Sequence, residues 1–92
     1  MDAQLTKQIH SLVPFTAELG LELLEASKER VVGQAQWASE RCTAGDVLHG
    51  GFLMATVDSI GAMSAVQNLP EDASGTTTIE SKTNFFRAVL RA

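Results

Sequence analysis

The sequence predicts an α+β protein, made of one long apolar helix, a β-hairpin before it and a β-rich segment after it. The helix is predicted from a run of apolar residues between Phe52 and Val66. The hairpin is predicted from alternating apolar residues between Leu21 and Ala38, and the later strand from alternation between Thr76 and Leu90. At 92 residues, the chain forms one domain at most.

The first predicted element is a short helix from Asp2 to about Val13. Asp2 is a favourable N-cap residue because its side-chain oxygen can accept a hydrogen bond from a free helix amide. Three apolar residues lie on one face of this helix at helical spacing: Leu5, Ile9 and Leu12. Pro14 is expected to end or bend the helix, because proline has no amide hydrogen to donate.

The next predicted elements are two strands, at about 21–27 and 31–38, joined by a polar turn. A loop over 39–48 leads to the apolar helix, which is predicted from about His49 to Gln67. This helix is about 27 Å long at 1.5 Å per residue. Because it is apolar on all sides, we expect other structure to wrap around it.

Composition limits the classes of function. The net charge is −4, which argues against a nucleic-acid-binding surface because such a surface needs a basic patch. The single cysteine, Cys42, cannot form an internal disulfide, and the polar start lacks a signal-peptide core, so we expect a cytoplasmic location. Asp58 interrupts the apolar run, so no membrane span is predicted. No cofactor motif or metal-ligand spacing is present in the sequence.

Asp58 is the only charged residue between Phe52 and Val66. Burying an isolated carboxylate among apolar side chains is costly, so a buried acid at this position indicates a functional task. Two other interpretations remain open from the residues alone. Asp58 can pair with an arginine, or it can cap a second helix that starts at Ser59. The candidate partners are Arg30, Arg41 and Arg87.

His49, Gly50 and Gly51 stand at the predicted start of the apolar helix. The glycines leave the first helix amides open, and those amides can hold a developing negative charge. The alternative is a tight helix start packed against a strand. His49 is either a base or a structural hydrogen-bonding residue, and a thiol–imidazole pair with Cys42 has nothing in the sequence to orient it. Asp58 follows Gly50 by just over two turns, which predicts that both lie near one face.

Three segments together resemble a known family. They are Val-Leu-His-Gly-Gly at 47–51, Val-Asp-Ser at 57–59 and Thr-Thr-Thr-Ile-Glu-Ser-Lys-Thr-Asn-Phe-Phe-Arg at 76–87. The acid follows the histidine by nine residues. In this order and spacing, the chain resembles the hotdog-fold acyl-CoA thioesterases, in particular their phenylacetyl-CoA and hydroxybenzoyl-CoA thioesterase branch.

The resemblance implies a hotdog fold, in which an antiparallel sheet wraps a long central helix and two subunits join their sheets. It also implies a homodimer or a dimer-of-dimers tetramer, with the active site at the subunit interface. Relatives continue with further strands, so we expect residues 1–92 to form a single hotdog-like domain that is incomplete at its C-terminus.

The resemblance also implies roles for individual residues. Asp58 attacks the thioester carbonyl or acts as a base on water, and the Gly50 N–H polarises the carbonyl. Many relatives have asparagine where this chain has Thr43, and the hydroxyl that some place one turn after the acid is absent at Ala62. The residues to which a catalytic part is assigned are Asp58, Gly50, His49, Thr43 and Thr78. Substrate binding is assigned to Gly51, Thr77 and Arg87.

The function implied by the resemblance is hydrolysis of the thioester of an acyl- or aryl-acyl-CoA, without a cofactor. A hydratase or dehydratase acting on acyl thioesters is an alternative within the same fold, although its acid and histidine stand in different motifs. A third interpretation belongs to another class: a non-catalytic hotdog remnant that binds acyl-CoA or serves only in assembly. Turnover of acyl-CoA separates the first interpretation from the third.

Overall fold

The computed structural model describes residues 1–70 together with Gly75, Arg87, Val89 and Leu90. This part of the chain is a mixed α+β structure, as predicted, with a two-stranded antiparallel sheet and one long helix. Most of the predicted β-rich segment 76–90 lies outside the described residues. The elements are α1 (Ala3–Leu12), α2 (Pro14–Glu18), β1 (Glu22–Ala26), β2 (Val31–Gln34), 3-10 turns at Ser39–Arg41 and Ala44–Asp46, and α3 (Gly50–Gln67).

The start and end of α1 follow from two local signals. Asp2 is the N-cap, and its Oδ1 accepts a hydrogen bond from the Leu5 N–H at 3.0 Å. Pro14 occupies the first position of α2, where the absent amide hydrogen costs no helical hydrogen bond. Proline therefore both ends α1 and begins α2. The predicted cap and the predicted break are confirmed, whereas the second helix was not predicted.

Helix α1 is joined to β1 through both peptide groups of Leu23. The Asp2 N–H donates to the Leu23 carbonyl at 2.7 Å. The Leu23 N–H donates to Oγ1 of Thr6 at 2.9 Å, and the Thr6 side chain is buried. Because the Leu23 side chain is only 3% exposed, an unpaired backbone group here would be costly. The threonine hydroxyl therefore takes the place of a strand partner.

The peptide groups of Leu21, two residues before Leu23, are also bonded to the N-terminal helices. Its N–H donates to the Thr16 carbonyl at 3.0 Å, and its carbonyl accepts a hydrogen bond from Nε2 of His10 at 2.6 Å. The backbone of Leu21 is therefore bonded to the helices and does not pair with β2. Strand β1 begins at Glu22, which pairs with Gln34. Strand β2 therefore has no partner in β1 beyond Gln34 and ends there, and the predicted extension of this strand to residue 38 is wrong.

The hairpin itself has the predicted antiparallel pairing. Ala26 pairs with Val31 beside the turn, and the Ser27 N–H donates to the Arg30 carbonyl across the turn at 2.8 Å. The register shifts between Leu23 and Glu25, which is a β-bulge. A bulge bends a strand and increases its twist.

Helix α3 lies on the sheet where β2 carries Gly33. A Cβ atom added to Gly33 would be 2.5 Å from Cδ1 of Ile60, so glycine permits this close approach. No residue of α3 is buried, and Val57 and Val66 are both more than half exposed. The expectation that other structure wraps α3 on all sides is therefore wrong for the described chain.

The buried core is small and lies between the N-terminal helices, β1 and the loop before α3. Its apolar members are Leu19, Leu21, Leu23 and Leu48. The Leu48 N–H also donates to the Val89 carbonyl at 3.0 Å, which brings a residue from the far end of the chain against this loop.

Replacing Thr6 by valine tests the α1–β1 junction. Valine keeps the shape of threonine but leaves the buried Leu23 N–H without its acceptor, so we expect the free energy of unfolding to fall by about 1–3 kcal/mol. Urea unfolding at one fixed protein concentration measures this effect, since any self-association would add stability. Thr6→Ser keeps the hydroxyl and is the matched control. A valine variant as stable as the parent would contradict the proposed role of this bond.

Candidate functional site

The loop at 39–48 fixes the point at which α3 begins. Cys42 and Leu48 face each other in an isolated antiparallel bridge, which closes the loop. The His49 N–H then donates to the Arg41 carbonyl at 2.9 Å. These contacts hold both ends of the loop together, so the first residues of the helix have a defined position.

Arg41 also braces the first turn of α3 with its side chain. Its guanidinium carbon lies 5.7 Å from the centre of the Phe52 ring, a cation–π distance. Its Nη1 donates to the Gln36 carbonyl at 2.9 Å. Arg30 was a second candidate partner for Asp58. Its Nε lies 4.0 Å from Oε2 of Glu25, so Arg30 is paired with that carboxylate.

His49 is the N-cap residue of α3. Its Nδ1 accepts a hydrogen bond from the Gly51 N–H at 2.8 Å, so a neutral ring carries its proton on Nε2. A Cβ atom on residue 51 would lie 2.9 Å from this Nδ1, which explains why glycine stands there. The geometry favours the structural role for His49, because the cap occupies the nitrogen that a base at the helix start would use.

Gly50 is the first residue of α3 and presents its N–H at the positive end of the helix. Across residues 1–70 we find no acceptor for this N–H. The aligned peptide dipoles give a helix N-terminus a partial positive charge, so an unpaired amide there is suited to bind a carbonyl oxygen or an oxyanion. The role predicted for Gly50, polarising a substrate carbonyl, needs such an amide and stays a prediction.

Asp58 lies in the middle of α3 and is exposed. The helix is continuous through it, so the alternative in which Asp58 caps a second helix is wrong. The expected burial is also wrong, because Asp58 lies on the side of α3 that borders an open cleft.

Gly50 and Asp58 are too far apart within one chain to act on the same carbonyl group. Eight residues of regular helix separate them by about 12 Å along the axis and about 80° around it. An oxyanion donor must lie about 3 Å from the carbonyl oxygen, and an attacking group about 3–3.5 Å from the carbon. The prediction that both residues serve one site therefore requires a second copy of α3.

A cleft of about 370 Å³ lies between α1, β1 and the face of α3 that carries Asp58 and Ser59. Apolar side chains of all three elements line it, including Ile9 and Met63. The sequence showed the apolar stripe of α1 but gave no sign of where it faces. Sequence reasoning therefore missed the part that α1 plays beside Asp58.

Of the remaining predicted site residues, the structure describes Thr43 and Arg87. Thr43 is exposed, and its N–H donates to the Val47 carbonyl at 2.8 Å, so it belongs to the loop that leads into α3. Arg87 is exposed. Thr77 and Thr78 lie outside the described residues. The structure thus brings Thr43 and the His-Gly-Gly segment to one end of α3.

Cys42 is suited to a structural role. Its Sγ lies 3.4 Å from the Ala38 carbonyl, to which the thiol donates. Partial burial raises the pKa of the thiol, and the nearby carboxylates of Asp46 and Glu40 raise it further. A raised pKa lowers the thiolate fraction at neutral pH and so disfavours nucleophilic chemistry.

Within the part of the chain that the structure describes, no three His, Cys, Asp or Glu side chains are grouped to hold a metal ion. Over the same residues, no helix combines the length and the hydropathy needed to cross a membrane. Comparison with protein-family models, curated proteins and solved structures finds no match to this chain.

The capping role of His49 can be tested by two substitutions. His49→Ala removes the acceptor for the Gly51 N–H and is expected to lower the free energy of unfolding by about 0.5–2 kcal/mol. His49→Asn supplies another favourable N-cap acceptor and is expected to recover most of this loss. Urea unfolding of the three proteins measures both effects. Equal stability of the alanine and asparagine variants would contradict the capping role.

Proposed function

We propose that this chain is a hotdog-fold acyl-CoA thioesterase that hydrolyses the thioester of an acyl- or aryl-acyl-CoA. The observation that carries the proposal is the Gly50 N–H, which stands at the start of a long helix whose only carboxylate is Asp58. The spacing of the His-Gly-Gly and Val-Asp-Ser segments supports it. The proposal also requires further strands, in addition to β1 and β2, that complete the sheet around α3.

We assign to the Gly50 N–H the binding of the carbonyl oxygen of the thioester, to which it donates a hydrogen bond. As the carbonyl carbon is attacked, negative charge develops on that oxygen, and the amide together with the helix dipole stabilises it. Removing one such donor costs about 2.7–4 kcal/mol of transition-state stabilisation in well-characterised enzymes. The His49 cap contributes by holding the first turn in place.

Asp58 is assigned the attack, by one of two routes. As a nucleophile, a carboxylate oxygen bonds to the carbonyl carbon, the C–S bond breaks, and the sulfur leaves as a thiolate that takes up a proton. Water then hydrolyses the mixed anhydride. As a base, Asp58 takes a proton from water while the water oxygen bonds to the carbon; the C–S bond then breaks, and the leaving thiolate takes up that proton. Either route consumes one water and yields a carboxylic acid and the CoA thiol.

The site is assigned to a homodimer, because the two groups are about 12 Å apart on one helix. A twofold axis that pairs α3 with an antiparallel copy brings Gly50 of one chain toward Asp58 of the other. An exposed side of α3 is suited to this contact. Gly61 lies there, and a Cβ atom added to it would have no neighbour within 4 Å, so a second backbone can approach closely.

The supporting roles come from the resemblance. Thr43 is assigned to orient the helix start, and a hydroxyl of Thr78 or Thr77 to assist the attack. Arg87, which is exposed, is assigned to the phosphates of CoA, which guanidinium groups bind well. Gly51 allows the substrate to pass close to the first turn.

A second candidate function is binding of acyl-CoA, or assembly, without turnover. The exposure of Asp58 favours it, because an acid in water lacks the dry surroundings that strengthen electrostatic catalysis. Binding of a non-hydrolysable acyl-CoA analogue without hydrolysis of the corresponding thioester would support this candidate over the first.

Asp58→Asn tests the assigned chemistry. The substitution keeps the size of the side chain and removes both nucleophile and base, so kcat is expected to fall by about 10²–10⁴-fold. We expect kcat/KM to fall equally, because only the transition state loses an interaction. The assay follows CoA release with a thiol reagent over a panel of acyl-CoAs. Urea unfolding of both proteins separates a loss of turnover from a loss of stability. Parental turnover in the variant would exclude Asp58 from the chemistry.

Mixing two inactive variants tests whether the site is shared. Gly50→Pro removes the assigned N–H at the first helical position, where proline is well tolerated, and the extended backbone of His49 suits a following proline. A mixed dimer with Asp58→Asn has one intact site of two. Equal mixing and subunit exchange should therefore recover about a quarter of parental activity. Active single variants, or mixtures that stay inactive after exchange, would contradict a shared site.

A further inference from the structure

We propose that Arg41 is a positioning residue for the thioesterase reaction, because it holds the start of α3 so that the Gly50 N–H points at the substrate carbonyl. The inference rests on the proposed function and adds to it a residue of the loop before α3. Arg41 does not touch the substrate in this assignment. It acts through His49 and Phe52, the residues on either side of the glycine pair at 50 and 51.

The glycine pair makes the start of α3 easy to displace. Glycine is a poor helix former, because its backbone loses more freedom on folding than that of any other residue. Gly50 and Gly51 fill the first two positions of α3, and helix ends fray more readily than helix middles. A displacement of about 1 Å can cost about a hundredfold in rate. The Gly50 N–H therefore depends on contacts from outside the helix to keep its position.

Arg41 contacts the residues on both sides of the glycine pair. Before the pair, its carbonyl accepts a hydrogen bond from the His49 N–H at 2.9 Å. After the pair, its guanidinium carbon lies 5.7 Å from the centre of the Phe52 ring, which is within the range of a cation–π contact. The backbone and the side chain of Arg41 together fix the segment that carries the Gly50 N–H.

The guanidinium of Arg41 is itself held by two further contacts. Its Nη1 donates to the Gln36 carbonyl at 2.9 Å. It also lies against Gly20, where an added Cβ atom would overlap Nη2 and would be 2.9 Å from Cζ of Arg41. The absence of a side chain at Gly20 thus leaves the space that the guanidinium occupies. Arg41 links the end of the N-terminal helices to the first turn of α3.

Arg41→Gln tests the positioning role, because it removes the guanidinium and leaves the backbone contact with His49 in place. We expect kcat to fall about 10–100-fold and KM to stay close to the parental value, since the contact with the oxyanion is made in the transition state. Arg41→Lys keeps a cation and should give an intermediate kcat. Parental kcat in Arg41→Gln, or a change in KM alone, would overturn the inference.

The matched control for this substitution is Arg30→Gln. It removes the same charge from an arginine of the hairpin turn that is paired with Glu25 on the surface. We expect it to keep parental kcat and KM. Urea unfolding of all the variants shows which of them are fully folded under the assay conditions. An equal loss of kcat in the Arg30 and Arg41 variants would mean that net charge is responsible, which contradicts the proposed role.

A double-mutant cycle tests whether Arg41 acts through Phe52. Phe52→Leu keeps an apolar side chain but removes the ring over which the guanidinium lies. In that background, Arg41→Gln should lower kcat much less than it does in the parent, because both substitutions remove the same contact. Full and independent effects of the two substitutions would overturn the assignment, since they would place the action of Arg41 elsewhere.

The space beside Gly20 allows a test that leaves Arg41 unchanged. Gly20→Ala is expected to push the guanidinium away from Phe52 and to lower kcat as Arg41→Gln does. Gly45→Ala is the matched control, because both glycines have positive φ, 66° at Gly20 and 75° at Gly45, so alanine brings similar backbone strain to each. At Gly45, an added Cβ atom has no described atom within 4 Å. Equal losses of kcat would assign the effect to strain and argue against the role of Arg41.

The amide of Gly50 gives a readout that needs no turnover. In two-dimensional amide NMR spectra of the full chain, Arg41→Gln is expected to move the Gly50 cross-peak and to speed its hydrogen exchange. The cross-peak of Gln67, at the other end of α3, should stay in place.

These measurements separate the inference from the proposed function. If acyl-CoA is hydrolysed with Asp58 but Arg41→Gln keeps parental kcat, the proposed function stands and the role of Arg41 is overturned. If no acyl-CoA is hydrolysed, the proposed function fails and the Gly50 cross-peak decides the role of Arg41. A cross-peak that moves supports the hold of Arg41 on the Gly50 N–H, and one that does not move overturns it.

Discussion

The bonding of the Leu21 and Leu23 peptide groups to the N-terminal helices determines the arrangement of the described chain. A single backbone hydrogen bond adds only about 0.5–1.5 kcal/mol, but a buried group without a partner costs about 1–3 kcal/mol. Thr6, His10 and Thr16 supply groups that would otherwise come from another strand. As a result α1 lies along β1, the sheet has two strands within the described residues, and a cleft opens between α1 and α3.

Helix α3 sets the distance between the Gly50 N–H at its start and the carboxylate of Asp58 in its middle. Its start is fixed by the His49 cap and by the closed loop before it, while its middle is held against the sheet by the close approach of Ile60 to Gly33. Between those supports the helix is regular, so the distance from its first amide to Asp58 is set by the number of residues alone. The chemistry proposed for these two groups therefore requires that the helices of two copies meet.

Local signals in the sequence predicted much of this structure. The Asp2 cap, the break at Pro14, the hairpin turn and the extent of α3 each depend on a few neighbouring residues. The end of β2, the second helix and the exposure of Asp58 depend on contacts made through space. His10, for example, meets a carbonyl 11 positions away, and no periodicity reveals such a contact. The candidate site divides in the same way, since its helix start was predictable, whereas the cleft formed with α1 was not.

The contacts that join α1, α2 and the hairpin have a consequence for how the chain folds. They all connect residues within the first 34 positions, and short sequence separation speeds folding because little loop entropy is lost. The N-terminal part is therefore expected to form early, including during synthesis while α3 is still inside the ribosome. Helix α3 would then dock onto a preformed surface, and its Ile60 would pack against Gly33.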